Sequence, residues 1–456
     1  MNQTQSLEIV IDSSQTLGAV NERFLGLSYE TEQVLPDAKG RHYFSPDNVP
    51  LITLFRTIGV KSLRVGGNSV DRPVTAIPNE TDIDELFGFA KAAGVKVIYS
   101  VRLQDGDAGS AANVAKHINE RYGDLLDCFS IGNEPAYYKP YENFRTKWRP
   151  IMDAMVAAAP GARFCGPDTN PEPAWCKSMV AEFGMPGPLS LLTVHNYPGD
   201  CSYQNPGAAK VEDLVPKDAA AAREEMLSSA WYAVYEKVHK GMADAVAGTP
   251  VPFRLAETNN FWYGGLKGAS DSFAAALWSA EYLYWWASHG ATGMNFHTGD
   301  RVGGGSTSLT SRYTAFVTSG QGYEVRPLSY GMKLFDLGGR GELLSVKPSG
   351  EHLSVHATRS NQNLSVTLIN KSHGIGAKGA SVHLKLASPQ KIAGARTIAL
   401  AAPGGDIAAT TGLTLGGEPI RSDGNWSGQW KALNITGDVV SVDVPAASAT
   451  IVSMEL

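Results

Sequence analysis

Two glutamates stand where a pair of acid–base groups would: Glu134, in Phe129-Ser130-Ile131-Gly132-Asn133-Glu134-Pro135, and Glu257, in Pro252-Phe253-Arg254-Leu255-Ala256-Glu257-Thr258. Each follows a short apolar run that gives way to a loop, the place of a catalytic side chain at the C-terminal rim of a parallel β-barrel. Two carboxyls can cleave a glycosidic bond if one protonates the leaving oxygen while the other, ionised, attacks the anomeric carbon from about 5 Å away. Ionising the second carboxyl beside the first is unfavourable, so their titrations split. In this reading Glu134 keeps its proton and Glu257 stays charged. Asn133 is placed to hydrogen-bond a sugar 2-hydroxyl. Arg64, in Leu63-Arg64-Val65-Gly66-Gly67, is placed to hold Glu257 ionised through a charge-assisted hydrogen bond.

These side chains need a scaffold, and the pattern supplies one. β-type runs at Phe24–Tyr29, Ser62–Val65, Lys96–Val101, Cys128–Ile131, Arg163–Gly166, Leu191–His195, Pro252–Ala256 and Thr292–Phe296 alternate with helical stretches. Examples of the latter are Val49–Ile58, Ile83–Ala93, Glu142–Ala158, Ala219–Val246 and Ser270–Ser288, with Thr81 and Asp84 read as a capping box for the second. Eight strands with interleaved helices predict a (β/α)8 TIM barrel over residues 15–337, with Glu134 after strand four and Glu257 after strand seven. A last helix begins near Arg326. Beyond it, alternating strands such as His352–Arg359, Leu364–Asn370, Val382–Leu386, Thr397–Ala401 and Ala449–Met454 predict an antiparallel β-sandwich domain over 338–456. The early strand Leu7–Ile11 has no partner in the barrel and is assigned to the sandwich, which takes residues 1–14. The aromatic group Trp278, Tyr282, Tyr284, Trp285 and Trp286 has core spacing and reads as packing.

Composition narrows the partners. The 456 residues carry 18% charged side chains and a net charge of −6 without a run of one sign, which argues against nucleic acid. No segment approaches the roughly 18 apolar residues of a membrane span, so no membrane insertion is expected. The first residues lack signal-peptide character; the expectation is a cytoplasmic protein, or a secreted or periplasmic one whose signal peptide is absent from this chain. Cys128, Cys165, Cys176 and Cys201 show no CxxC spacing, although Cys176 and Cys201 are candidates for a disulfide. His195 and His297 lack metal-ligand spacing, there is no P-loop, HExxH or G-x-S-x-G motif, and neither metal nor other cofactor is expected.

The chain resembles the clan A glycoside hydrolases, in which an Asn-Glu pair ends strand four and a nucleophilic Glu ends strand seven. Within that clan it looks most like family 79, the β-glucuronidases and heparanase, through Phe24-Leu25-Gly26-Leu27-Ser28-Tyr29-Glu30, Arg64-Val65-Gly66-Gly67, Ile131-Gly132-Asn133-Glu134-Pro135, Val194-His195-Asn196-Tyr197 and Arg326-Pro327-Leu328. The resemblance implies that Glu134 is the acid/base and Glu257 the nucleophile of a retaining mechanism. It implies hydroxyl contacts from Glu30 and Asp71, and a hydrogen bond from Tyr197 to the nucleophile. It also implies a sugar-carboxylate site built from the Tyr263-Gly264-Gly265 turn and the Tyr313 hydroxyl. Trp262 departs from the family pattern by setting Tyr263 one position further from Glu257.

The implied substrate is a carbohydrate, a terminal β-glucuronide. Basic residues are dispersed, Lys39, Arg41, Arg145, Lys147 and Arg149 being the nearest to a group, which disfavours a densely anionic polymer. The long loops Pro198–Lys217 and Thr298–Arg312 are expected to wall the cleft into an exo-acting pocket. The alternatives are a heparanase-like endo-β-glucuronidase, a clan A β-glycosidase acting on a neutral sugar, and a sugar-binding protein without turnover.

Overall fold

In a computed structural model that describes residues 5–300, 311–320, 322–346, 352–388 and 390–456, eight parallel strands close a barrel in sequence order. They are β1 (Leu25–Glu30), β2 (Ser62–Gly66), β3 (Lys96–Val101), β4 (Leu126–Ile131), β5 (Phe164–Thr169), β6 (Leu189–Asn196), β7 (Phe253–Thr258) and β8 (Met294–His297). Closure is through Met294 against Leu25. The strands are buried on both faces, which is why they read as continuous apolar runs with no alternation. Register decides what meets at the rim: Ser28 lies beside Arg64, and His195 beside Glu257.

The helices follow their punctuation with two differences. Helix Glu80–Ala93 is capped by Asn79 and not by Thr81, because the Asn79 Oδ1 accepts from both Thr81 N and Asp82 N while Asp82 returns a bond to Asn79 N. Asp84 turns instead to His117 and Tyr122. The single helix expected over 219–246 is two, Ala219–Leu227 and Tyr232–Val246, broken near Ser228, whose extended backbone ends the first. All four cysteines are buried and free, so Cys176 and Cys201 are not joined.

The C-terminal region forms antiparallel sheets, and both N-terminal strands join them. Gln5–Ile11 runs parallel to Ala380–Leu386, and Thr16–Ala19 pairs with Glu342–Leu344. Ile9, Ile11, Val366, Val382 and Val440 make up part of this region's own core. A second core runs on without interruption from the barrel into Ile398, Leu400 and Ile451. Helix Phe273–Ser288 is buried almost all round because it lies between the two, and it carries the predicted aromatic group. One hairpin, Phe316–Ser319 with Gly322–Val325, was not foreseen from the pattern.

Candidate active site

Arg64, fully buried in the middle of β2, organises the rim. Its Nη1 donates to Glu257 Oε2 at 2.7 Å and to Ser28 Oγ at 3.0 Å. Its Nη2 donates to Asn133 Oδ1 at 2.8 Å and to Asp168 Oδ2 at 3.4 Å. Glu257 belongs to β7 itself, which extends two residues past the expected end, to Thr258. Its Oε1 accepts from the Tyr197 hydroxyl at 2.8 Å, and His297 Nδ1 lies 3.6 Å from Oε2. Burial alone would push the Glu257 carboxyl up; His297, His195, Arg64 and the Tyr197 hydroxyl outweigh it and hold the group far below the ordinary carboxylate range. Burial would lower His297, yet Glu257 and Glu30 raise it above the usual histidine value.

Glu134 reaches the same space from the turn after β4. Gly132 (φ 82°) cannot carry a side chain, since a Cβ there would meet Leu103 Cβ at 2.6 Å, and Glu134 itself has φ 46°. Two bonds hold this strained turn: Asn133 N to Asp71 Oδ2 at 2.9 Å and Glu134 N to the Asp168 carbonyl at 2.8 Å. Glu134 Oε1 meets His195 Nδ1 at 3.0 Å, and the side chain stays 29% exposed while Glu257 is nearly enclosed. An oxygen from each glutamate and a nitrogen of His195 lie within 4.8 Å of one another. Three such donors have the spacing to hold a divalent cation, but the guanidinium 2.7 Å from Glu257 already supplies positive charge on that side.

The glutamates open on a cavity of about 710 Å³. Glu30, Tyr197, Tyr263, Gly264 and Tyr313 line it, as do Trp262 and His297. Glu30 accepts from Asn68 N and Ser69 N and faces His297 Nε2 at 3.7 Å. Tyr263, Gly264 and Gly265 all have positive φ (71°, 81° and 82°), and the Tyr263 and Gly264 N–H groups find no acceptor among the described residues. Gly265 packs behind Gly264, where a Cβ would meet Tyr313 N at 2.7 Å.

Two expected contact residues sit behind the wall. Asp71 spends its oxygens on three backbone donors, Leu103 N, Gln104 N and Asn133 N, so it braces the loops and has little left for a sugar. Asn133 is 4% exposed and passes its amide to Asn68, whose side chain lines the cavity in front of it. Asp168 escaped the sequence reading because the Pro167 that follows the expected end of strand five at Gly166 concealed β5's continuation to Thr169. His195 was noticed but taken as an isolated histidine. From the loop Pro198–Lys217, Asp200 binds Trp262 through both backbone and indole (3.0 and 2.7 Å), closing one side of the cavity. Of the other loop, residues 301–310 lie outside the described residues.

No protein-family model and no curated protein matches the sequence. Solved structures do. A 4-O-α-L-rhamnosyl-β-D-glucuronidase from Fusarium oxysporum 12S superposes with a TM-score of 0.72 at 14% identity, covering 100% of both chains. A GH51 arabinofuranosidase from Xanthomonas axonopodis pv. citri gives 0.67 at 15%, covering 99% of this chain and 100% of that one. A monomeric β-xylosidase from Caulobacter crescentus CB15 gives 0.63 at 15%, covering 99% of each. In fold, the chain is similar to clan A glycoside hydrolases. Nothing in these similarities singles out family 79.

Proposed function

We propose that the chain is a retaining glycoside hydrolase that removes terminal β-linked glucuronic acid. One observation carries the reading: oxygens of Glu134 and Glu257 approach within 4.8 Å across a shared cavity. That separation suits direct attack by a carboxylate and is too short for the water that an inverting pair holds across roughly 6.5–9.5 Å. Glu257, kept ionised by Arg64 and Tyr197, attacks the anomeric carbon as Glu134 gives its proton to the departing oxygen and the C–O bond breaks. Glu134 then takes a proton from the water that displaces Glu257, and configuration is retained. Asn68 and Glu30 offer hydroxyl contacts from the wall.

The uronate part of the reading rests on Tyr263, Gly264 and Tyr313. Unsatisfied N–H groups in a positive-φ turn converge on an anion, and with the Tyr313 hydroxyl they bind it without placing a cation beside Glu257. A second reading, a β-glycosidase for a neutral sugar, draws on the lack of any Lys or Arg in the described cavity wall. Release of 4-nitrophenol from its β-glucuronide and β-glucoside separates them: kcat/KM is expected to be higher on the glucuronide, and the opposite order removes the uronate assignment.

A further inference from the structure

Among the buried polar atoms that the structure leaves without partners, two behind the acid/base face each other. His195 Nε2 and Asp168 Oδ1 are both sealed from solvent, neither makes a hydrogen bond, and they stand 3.9 Å apart. A buried carboxylate oxygen and a buried ring nitrogen left unsatisfied are costly, so a pair aimed at one another asks for a reason. Asp168 adds another oddity: its backbone is left-handed (φ 51°) inside a strand. Its carbonyl carries the Glu134 N–H, so this one residue supports both the main chain and, through His195, the carboxyl of the acid/base.

We propose that Asp168 and His195 are positioning residues for the general acid, with Asp168 holding the His195 ring so that its Nδ1 stays on Glu134 Oε1. The ring faces a carboxyl oxygen on each side, Glu134 Oε1 at 3.0 Å and Asp168 Oδ1 at 3.9 Å. Asp168 Oδ2 already accepts from Ser130 Oγ at 2.6 Å and faces Arg64 Nη2 at 3.4 Å, which leaves Oδ1 as an acceptor turned to Nε2. With Nδ1–H on Oε1, the acidic proton of Glu134 sits on Oε2, the oxygen left for the leaving group. Once the proton is given away, the same N–H meets a carboxylate and becomes a charge-assisted bond. The charged groups around the ring are Glu134, Asp168 and Glu257, with Arg64 beyond Asp168.

The inference rests on Glu134 being the acid, and leaving-group dependence tests both levels. A 2,4-dinitrophenyl β-glucuronide departs without protonation, whereas a methyl β-glucuronide needs it. Asp168→Asn keeps the shape and tolerates the positive φ. It is expected to lower kcat/KM on the methyl glycoside about 10- to 100-fold, the usual size for a residue that orients another functional group, and to change the dinitrophenyl glycoside less than about 3-fold. His195→Gln, which offers a single nitrogen in place of two on opposite sides of a ring, is expected to show the same split, with larger losses. Equal losses on the two substrates in both variants would mean a purely structural role and overturn the proposal. Glu134→Ala with azide serves as the control. Rescue as a glycosyl azide on the dinitrophenyl substrate upholds Glu134 as the acid, so that equal losses then count against the Asp168–His195 pair alone; failure of rescue removes the acid assignment and the pair with it.

Discussion

The seam between barrel and sandwich and the barrel's rim both bury carboxylates against cations, and they do so to opposite ends. At the seam, Glu281 pairs with Lys371 Nζ at 2.7 Å and also accepts from the Tyr232 hydroxyl and Ser354 Oγ. Nearby, the Tyr284 hydroxyl meets Thr367 at 2.7 Å across the same junction. Burial pushes Glu281 up, Lys371 with the Ser354 and Tyr232 hydroxyls outweighs it and holds the group below its ordinary value, and the acid is spent on structure. At the rim Arg64 is shared among Glu257, Asn133 and Asp168, Glu134 is left open to solvent, and buried atoms that include Arg64 Nε, His195 Nε2 and Asp168 Oδ1 stay unsatisfied. A closed ion pair holds parts together, whereas a shared cation and an open acid keep charge available for a reaction.

Exchanging the two acids is the strongest way to break this contrast. Glu257→Gln is expected to cut turnover by at least about 10⁴-fold, as loss of a covalent nucleophile does, while the thermal midpoint moves little. Substantial activity in that variant removes Glu257 as nucleophile. Glu281→Gln is expected to do the reverse: it leaves Lys371 buried without a counter-charge, costs about 3–5 kcal/mol in denaturant unfolding, and keeps kcat within about twofold at 25 °C. A loss of activity without a loss of stability there would erase the distinction between seam and rim. Tyr313→Phe sharpens the rim side, with an expected loss of about 1.5–3 kcal/mol, some 10- to 100-fold in kcat/KM, on the β-glucuronide and little change on the β-glucoside.

The smallest effect belongs to the seam. His356 stacks on Tyr284 at 4.3 Å, and burial drives it down to about 4, with Glu281 opposing. The folded state therefore holds this ring neutral. Its share of stability is present above the unfolded value of 6.5 and is lost as pH falls through that value toward 4. Relative to His356→Phe, the native chain should lose on the order of 2 kcal/mol over that window in calorimetry. Parallel stability curves for the two proteins would show that His356 does not titrate this way.

Much of the scaffold was legible because burial on both faces of a barrel strand leaves a plain apolar run, and each of the eight runs falls on a barrel strand. The reading failed where polar partners decide the outcome. Thr81 and Asn79 are both acceptable caps by type, and only the reach of the Asn79 Oδ1 to two N–H groups separates them. Asp71 looked like a rim acid because nothing in a linear sequence shows three backbone donors arriving from other strands. Glu134, Glu257 and Arg64 could be paired in advance, since strand order brings strand ends together at one rim; the Tyr197 contact was implied by the resemblance to clan A. The match between His195 and Asp168 depends on which atoms are left without partners, and that has no signature in residue type.

The strand Gln5–Ile11 is made before the barrel and paired only after it. Its parallel neighbour, Ala380–Leu386, leaves the ribosome on the order of tens of seconds later. Until then the early segment has an edge with nothing to dock on, while the barrel between them can already close. Native pairing of this strand is thus a long-range capture step, slow by its sequence separation, and until it happens the N-terminal edge lies open to wrong partners.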